Sequence, residues 1–255
     1  MEYHLIDAYS KRDNFLHRLD PRTKIILFIG FVILIVLTPP KQFVTFGQYG
    51  LLIIGLILLS RIPAWFYISR ALLVLPFVLM IVIFVPFLKE GQTAFQIDLW
   101  FTQARVTYEG LMVCWNVLAK SVSSVLLMTL LIATTPFNDI LHGLAHLRVP
   151  RILITLVSFM YRYLFVLLDE TERMQHARIS RWFGGYVWRQ IKVIGNMIGL
   201  LFIRSYERSE RIYASMLARG FDGHIRRIDN HKFRIADAIF VLIVVFLLLL
   251  IVTMN

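Results

Sequence analysis

Five residues near the end of the chain, Arg204, Arg208, Arg211, Ser215 and Arg219, step by four, three, four and four positions, which places them on one face of an α-helix. The chemistry such a face offers is recognition rather than bond making, because each guanidinium presents a fork of donors that matches a carboxylate or phosphate. Tyr206, Tyr213, Met216 and Leu217 fall on the other face, which the pattern assigns to packing. Glu207 precedes Arg211 by four residues, the favourable order for a helical ion pair. Gly220 stands where a left-handed cap closes a helix, so Arg219 belongs on the last turn, against the helix's negative end. A solvated amphipathic helix would show the same pattern, and the surrounding chain has to decide.

Other residues with chemical potential do not assemble into a site. His142 and His146 are four apart on a predicted helix and could share a metal, but no third ligand accompanies them and they read as ordinary helix histidines. No Gly-x-x-x-x-Gly-Lys-Ser/Thr run is present to cradle nucleotide phosphates. No Gly-x-Ser-x-Gly elbow supports a serine nucleophile. The single cysteine, Cys114, lies in an apolar run and reads as packing. The chain is therefore read as non-enzymatic, with no catalytic residue, no metal ligand and no cofactor.

The elements that position the arginines follow from composition. The chain is 58% hydrophobic and 17% charged, with the apolar residues in blocks, which predicts an all-α polytopic membrane protein. The predicted organisation is a cytoplasmic N-terminal segment at 1–24, a four-span bundle at 25–133, a cytoplasmic module of long helices at 134–236, and a last transmembrane helix at 237–255. The spans are read at 25–38, 43–60, 71–88, 111–133 and 238–254, with the 61–70 and 89–109 stretches as connections. Within these five spans no carboxylate occurs, which disfavours a self-sufficient ion carrier. Lys120 interrupts the fourth span at a cost of about 2.5–3.5 kcal/mol, so it should face the bundle interior, reach an acidic or carbonyl partner, or snorkel. Thr135 is read as the N-cap and Pro136 as the first residue of a following helix. Residues 134–236 hold 16 Lys and Arg against 8 Asp and Glu, much of the net charge of +11. The positive-inside rule puts this block in the cytoplasm and makes 152–168 part of a long helix lying against the bundle. That helix begins at Pro150 and runs to Arg178; Gly184-Gly185 breaks the chain, and a second long helix covers about 189–219.

In matching order from about residue 12 to 224, short motifs carry a family resemblance. They are Leu16-His17-Arg18-Leu19-Asp20-Pro21-Arg22-Thr23-Lys24, Thr38-Pro39-Pro40, Ala133-Thr134-Thr135-Pro136, Tyr161-Arg162-Tyr163-Leu164-Phe165 with Asp169-Glu170, and Arg204 to Arg211 with Met216-Leu217-Ala218-Arg219-Gly220. Together they resemble the T component of energy-coupling factor transporters, in the branch of the CbiQ cobalt permeases. The resemblance implies an ABC-type importer of the bacterial inner membrane, in which this subunit, N-terminus inside, links two ATP-binding cassette ATPase subunits to a substrate-binding membrane subunit. That subunit would be CbiM-like, with a small CbiN-like companion, and would hold the metal site. Two Ala-Arg-Gly-like triplets would dock into the ATPases, here Ala177-Arg178-Ile179 and Ala218-Arg219-Gly220. The first departs from the pattern at Ile179, and Arg181 is a nearby substitute. Arg204, Glu207, Arg208 and Arg211 are then read as support, the three arginines paired with Glu207 and Glu210 or with the neighbouring helix. Cobalt is the expected substrate, with nickel or a vitamin as alternatives. From a different class, a membrane-insertion or scaffold protein would use its basic block on anionic lipid or ribosomal RNA; the family reading involves the bilayer and no nucleic acid.

Overall fold

The computed structural model describes residues 14–40, 42–82, 85, 93–99, 102–147, 149–181, 186–223 and 235–253. In chain order the helices are α1 (Phe15–Arg18), α2 (Pro21–Leu37), α3 (Phe43–Ser60), α4 (Ala64–Val82), α5 (Tyr108–Thr134), α6 (Phe137–His146), α7 (Arg151–Ser180), α8 (Val187–Ala218) and α9 (Ile235–Thr253). Between α4 and α5 the strands β1 (Thr93–Leu99) and β2 (Thr102–Thr107) pair antiparallel, with Asp98 opposite Gln103. The architecture is the helical, polytopic one the sequence predicts, and this hairpin is an addition to it. Two compact units result, one of Leu144–Asp229 and one of His4–Gly143 with Asn230–Asn255.

The second unit has a continuous core. Phe28, Phe31 and Ile35 of α2 meet Tyr49 and Ile53 of α3, Leu127 and Leu130 of α5, and Val244 and Leu248 of α9. Edge-to-face rings join Phe31 and Phe46 to Tyr49, at 5.6 and 6.5 Å between centroids. In a bilayer such a core is held by close packing and internal hydrogen bonds rather than by escape from water.

Local sequence explains how α2 enters this core. Asp20 caps the helix by accepting the Arg22 amide, and Pro21 occupies the first turn, where its missing N–H costs nothing. The helix stops before Pro39-Pro40, where the Thr38 hydroxyl donates to the Leu34 carbonyl at 2.8 Å. Around its N-terminus lies a buried polar junction. The Asp20 amide donates to the Asp237 carboxylate at 3.0 Å, and the Lys24 ammonium donates to the carbonyls of His17 and Thr134, each at 3.2 Å. Asp20, Lys24 and Asp237 are 5, 2 and 2% exposed, so α1, α2, α5 and α9 are tied together where their backbone ends would otherwise lack partners.

Several boundaries differ from the sequence reading. Residues 61–70 are not a connection, since α4 already begins at Ala64 and carries Arg70 inside it, with the guanidinium 5.1 Å from the Phe66 ring. Thr135 is not an N-cap but the last cap of α5; its buried hydroxyl has no hydrogen-bond partner among the described residues. The carbonyl of Pro136 instead accepts from Asp139 and Ile140, which makes Pro136 the capping residue of α6. The last helix starts at Ile235, so Asp237 is inside its first turn. Lys120 behaves as expected and donates to the Val36 carbonyl at 2.7 Å, in the open last turn of α2. Cys114 packs, with its thiol donating to the Val82 carbonyl. His142 faces Arg22, ring nitrogen to guanidinium 3.2 Å. Gly184-Gly185 lies outside the described residues.

By length and composition four helices could cross a membrane, α3, α5, α7 and α9, and a shorter apolar stretch covers Ala64–Met80. The helix α7 is among them although the charge distribution reads it as lying against the bundle. Among the described residues none in its apolar stretch is buried.

Candidate functional site

The other unit consists mainly of α7 and α8, which are 30 and 32 residues long. Pro150 starts α7, its carbonyl accepting the Leu153 and Ile154 amides. The two helices run antiparallel. Phe221, just past α8, meets Phe159 near the start of α7; Arg204 bonds Glu170 midway; and Arg178 near the end of α7 shares a groove with Ile194, Met197 and Ile198 of α8. Neither helix has a buried residue.

Antiparallel pairing places the two arginine triplets at opposite ends. Arg178 lies eight residues beyond Glu170 and Arg219 fifteen beyond Arg204, which separates them by roughly 35 Å along the pair at the rise of an α-helix. The ends are built differently. At the second, the Gly220 amide donates to Leu217 and the Phe221 amide to Met216, with Gly220 at φ 78°. This is the Schellman closure that Gly220 predicts. It leaves Ala218, Arg219 and Gly220 exposed at the tip, and the Phe221 ring, 6.5 Å from Phe159, fixes the tip to α7. At the first, Ile179 continues the helix to Ser180, and Arg181 is the exposed cap residue. Ala177 and Ile179 are exposed, whereas Arg178 is partly buried in a groove of about 240 Å³ beside Met174 and Met197.

The face assignment of α8 is corrected. Leu201, Ser205, Ile212 and Met216 form the stripe turned towards α7, and Tyr206, Tyr213 and Leu217 are more than half exposed. Beside that stripe the Glu170 carboxylate accepts from Arg173 at 3.1 Å and from Arg204. The Arg204 hydrogen bond, with help from Arg173, holds the Glu170 carboxyl below the usual carboxylate range. The arginine row therefore flanks the contact with α7 instead of facing away from it. Glu207 and Arg211 make no ion pair within 4.0 Å among the described residues, and neither do Arg208 and Glu210, so internal pairing holds for Arg204 alone. With Glu170 and Arg204, these three residues Glu207, Arg208 and Arg211 line a small cleft of about 120 Å³.

Sequence reasoning missed the junction of Asp20, Lys24 and Asp237. Its signal was present in the cap motif at Asp20-Pro21, but the partner lies 217 residues away. Comparison with known proteins bears on both units. Residues 12–232 match the model of the family described as CbiQ, cobalt transport protein. An uncharacterized protein of Methanocaldococcus jannaschii is 30% identical over 98% of this chain and 86% of its own length. The energy-coupling factor transporter transmembrane protein EcfT of Bacillus subtilis is 28% identical, covering 91% of this chain and 90% of that protein. A putative fused cobalt transport protein CbiMQ of Methanocorpusculum labreanum is 28% identical over 78% of this chain and 33% of its own length.

Proposed function

This chain belongs to the CbiQ family of cobalt transport proteins, a transmembrane component of an energy-coupling factor transporter, and from that premise we propose that it transmits ATP-driven motion to a substrate-binding membrane subunit. One observation carries the reading: two arginine-bearing helix ends stand at opposite ends of a helix pair that has no buried residue of its own. Each end suits a groove with a carboxylate in one of two ATPase subunits, where a guanidinium forks onto the carboxylate once water is excluded. Closure of the ATPases would move the helices that end at Arg178 and Arg219, and these levers would tilt the substrate subunit packed on their apolar side. Cobalt is the favoured substrate, supported by the family description and by the fused CbiMQ relative.

The test is charge reversal at both ends. The double variant Arg178→Glu, Arg219→Glu should still insert in the membrane, yet lose the copurifying ATPase or hydrolyse ATP without uptake, with cobalt accumulation down at least about tenfold. Normal uptake by this variant overturns the proposal. Uptake assays with cobalt, nickel and a vitamin in parallel decide the substrate.

A further inference from the structure

The contact between α7 and α8 carries two ladders with the same step. On α8, Arg204, Arg208 and Arg211 line one cleft with Glu170 of α7, and Arg204 is the one bonded to its carboxylate. Arg208, one turn on, has no ion pair or side-chain hydrogen bond among the described residues. Arg173 holds Glu170 on its own helix at 3.1 Å, so the carboxylate keeps its place while the row can pass it. On α7 the rungs are rings. Phe221, beyond the α8 tip, meets Phe159, and Tyr163, one turn further along α7, stacks on Phe159 at 6.3 Å between centroids. Four residues of α-helix rise about 6 Å, which matches that step. Because the pair is antiparallel, both ladders run the same way: moving α8 one turn towards the C-terminus of α7 hands Glu170 from Arg204 to Arg208 and Phe221 from Phe159 to Tyr163.

The contact is open enough to slip. Neither helix has a buried residue, and a groove of about 450 Å³ lies between them beside Tyr163, Ile212 and Met216, in the path of the move. The contact stripe of α8 accepts the step because the residue four positions on is of the same kind: Leu201 follows Met197, Ser209 follows Ser205 and Met216 follows Ile212, with Ser205 after Leu201 as the exception. The move breaks one exposed ion pair and one ring contact and remakes both, so the two registers lie close in free energy. We infer that α7 and α8 form a two-position slide, in which Glu170 pairs with Arg204 in one register and with Arg208 in the other. This is a one-turn ratchet of one element past another, and it carries the Arg219 tip about 6 Å along α7 towards Arg178. The inference rests on the coupling reading only for what drives the slip. The two registers can be measured without any ATPase, so the uptake of the double charge-reversal variant leaves their test unaffected.

The test uses the full chain in lipid nanodiscs, with pulsed electron paramagnetic resonance distances between spin labels placed outside both ladders. In a Cys114→Ala background, one label pair is Met160→Cys with Ile191→Cys and the other is His176→Cys with Tyr213→Cys, all at exposed positions. A slip of α8 towards the C-terminus of α7 lengthens the first distance and shortens the second, each by about 6 Å. Arg204→Glu, which sets a carboxylate against Glu170 in the first register, should raise the ratio of slipped to unslipped chains about fivefold. Adding Arg208→Glu should bring that ratio back to the parent's. Unchanged distances overturn the inference, and so do two distances that lengthen together, which mark helices splaying apart. Should Arg204→Glu fail to fold, Arg204→Gln keeps the test, with the same opposite changes expected at about twofold.

Discussion

The two units of the chain solve opposite problems. The unit of α1 to α5 and α9 has a shared core whose Leu16, Phe28, Phe31, Ile35, Leu127 and Leu130 are fully buried, and its helix ends close on a buried polar junction. The unit of α7 and α8 has the two longest helices among the described residues and buries none of their side chains. A helix of 30 residues is long enough to persist by its own hydrogen bonds, yet most helical stability in proteins comes from a packed face. Substitutions should therefore be felt in stability for the first unit, and in what the chain touches for the second.

The largest effect on stability is expected at the junction. Asp237→Ala leaves the Asp20 amide without its acceptor and strips a neighbouring carboxylate from the buried Lys24, at a cost of about 2–4 kcal/mol. Thermal unfolding in detergent reads this directly, and an unchanged midpoint would mean that the contrast between the units is wrong. An intermediate effect is expected at the α8 tip. Gly220→Ala meets no atom within 4 Å of the added methyl, so its cost is the left-handed backbone alone, about 1 kcal/mol. Faster amide exchange at Phe221, with the unfolding midpoint of the membrane bundle unmoved, would show that the tip frays by itself.

The smallest effect is at the Glu170 pair. Because the folded carboxyl is held below its unfolded value, its contribution is complete above the ordinary carboxylate range and is lost as the pH falls through the lowered folded value. Stability should therefore be flat from neutral pH down to about pH 5 in this respect, and Glu170→Gln should match the parent chain only in strong acid. A midpoint that already separates variant from parent by several degrees at high salt would mark this pair as a structural lock instead of an exposed ion pair.

Much of this was legible because it is local. Phe43 to Ser60 was bounded correctly by its flanking charges, and Gly220 named its own closure, whereas the cap at Asp20-Pro21, equally local, went unread. For Lys120 the cost of an uncompensated ammonium left an acidic partner, a carbonyl partner or snorkelling open, and the structure supplies the Val36 carbonyl. Arg70 misled because a basic side chain within an apolar helix can lean on an aromatic ring, so it does not mark a loop. The ion pair expected between Glu207 and Arg211 failed for the usual reason that an exposed pair gains little from closing.

Composition, spacing and motif order determined by themselves that the chain is a helical membrane protein, that most of its net basic charge falls between residues 134 and 236, and which arginines end the two long helices there. These are properties of short segments, fixed by periodicity and by what each residue permits its own backbone. Only the tertiary structure decided that α7 and α8 run antiparallel, so that Arg178 and Arg219 point to opposite ends, that Arg204 of the arginine row meets Glu170 beside the contact, and that Asp237 closes on Asp20. Each of these joins residues tens to hundreds of positions apart, and spacing along a chain carries no information about which distant partner a charged group will meet.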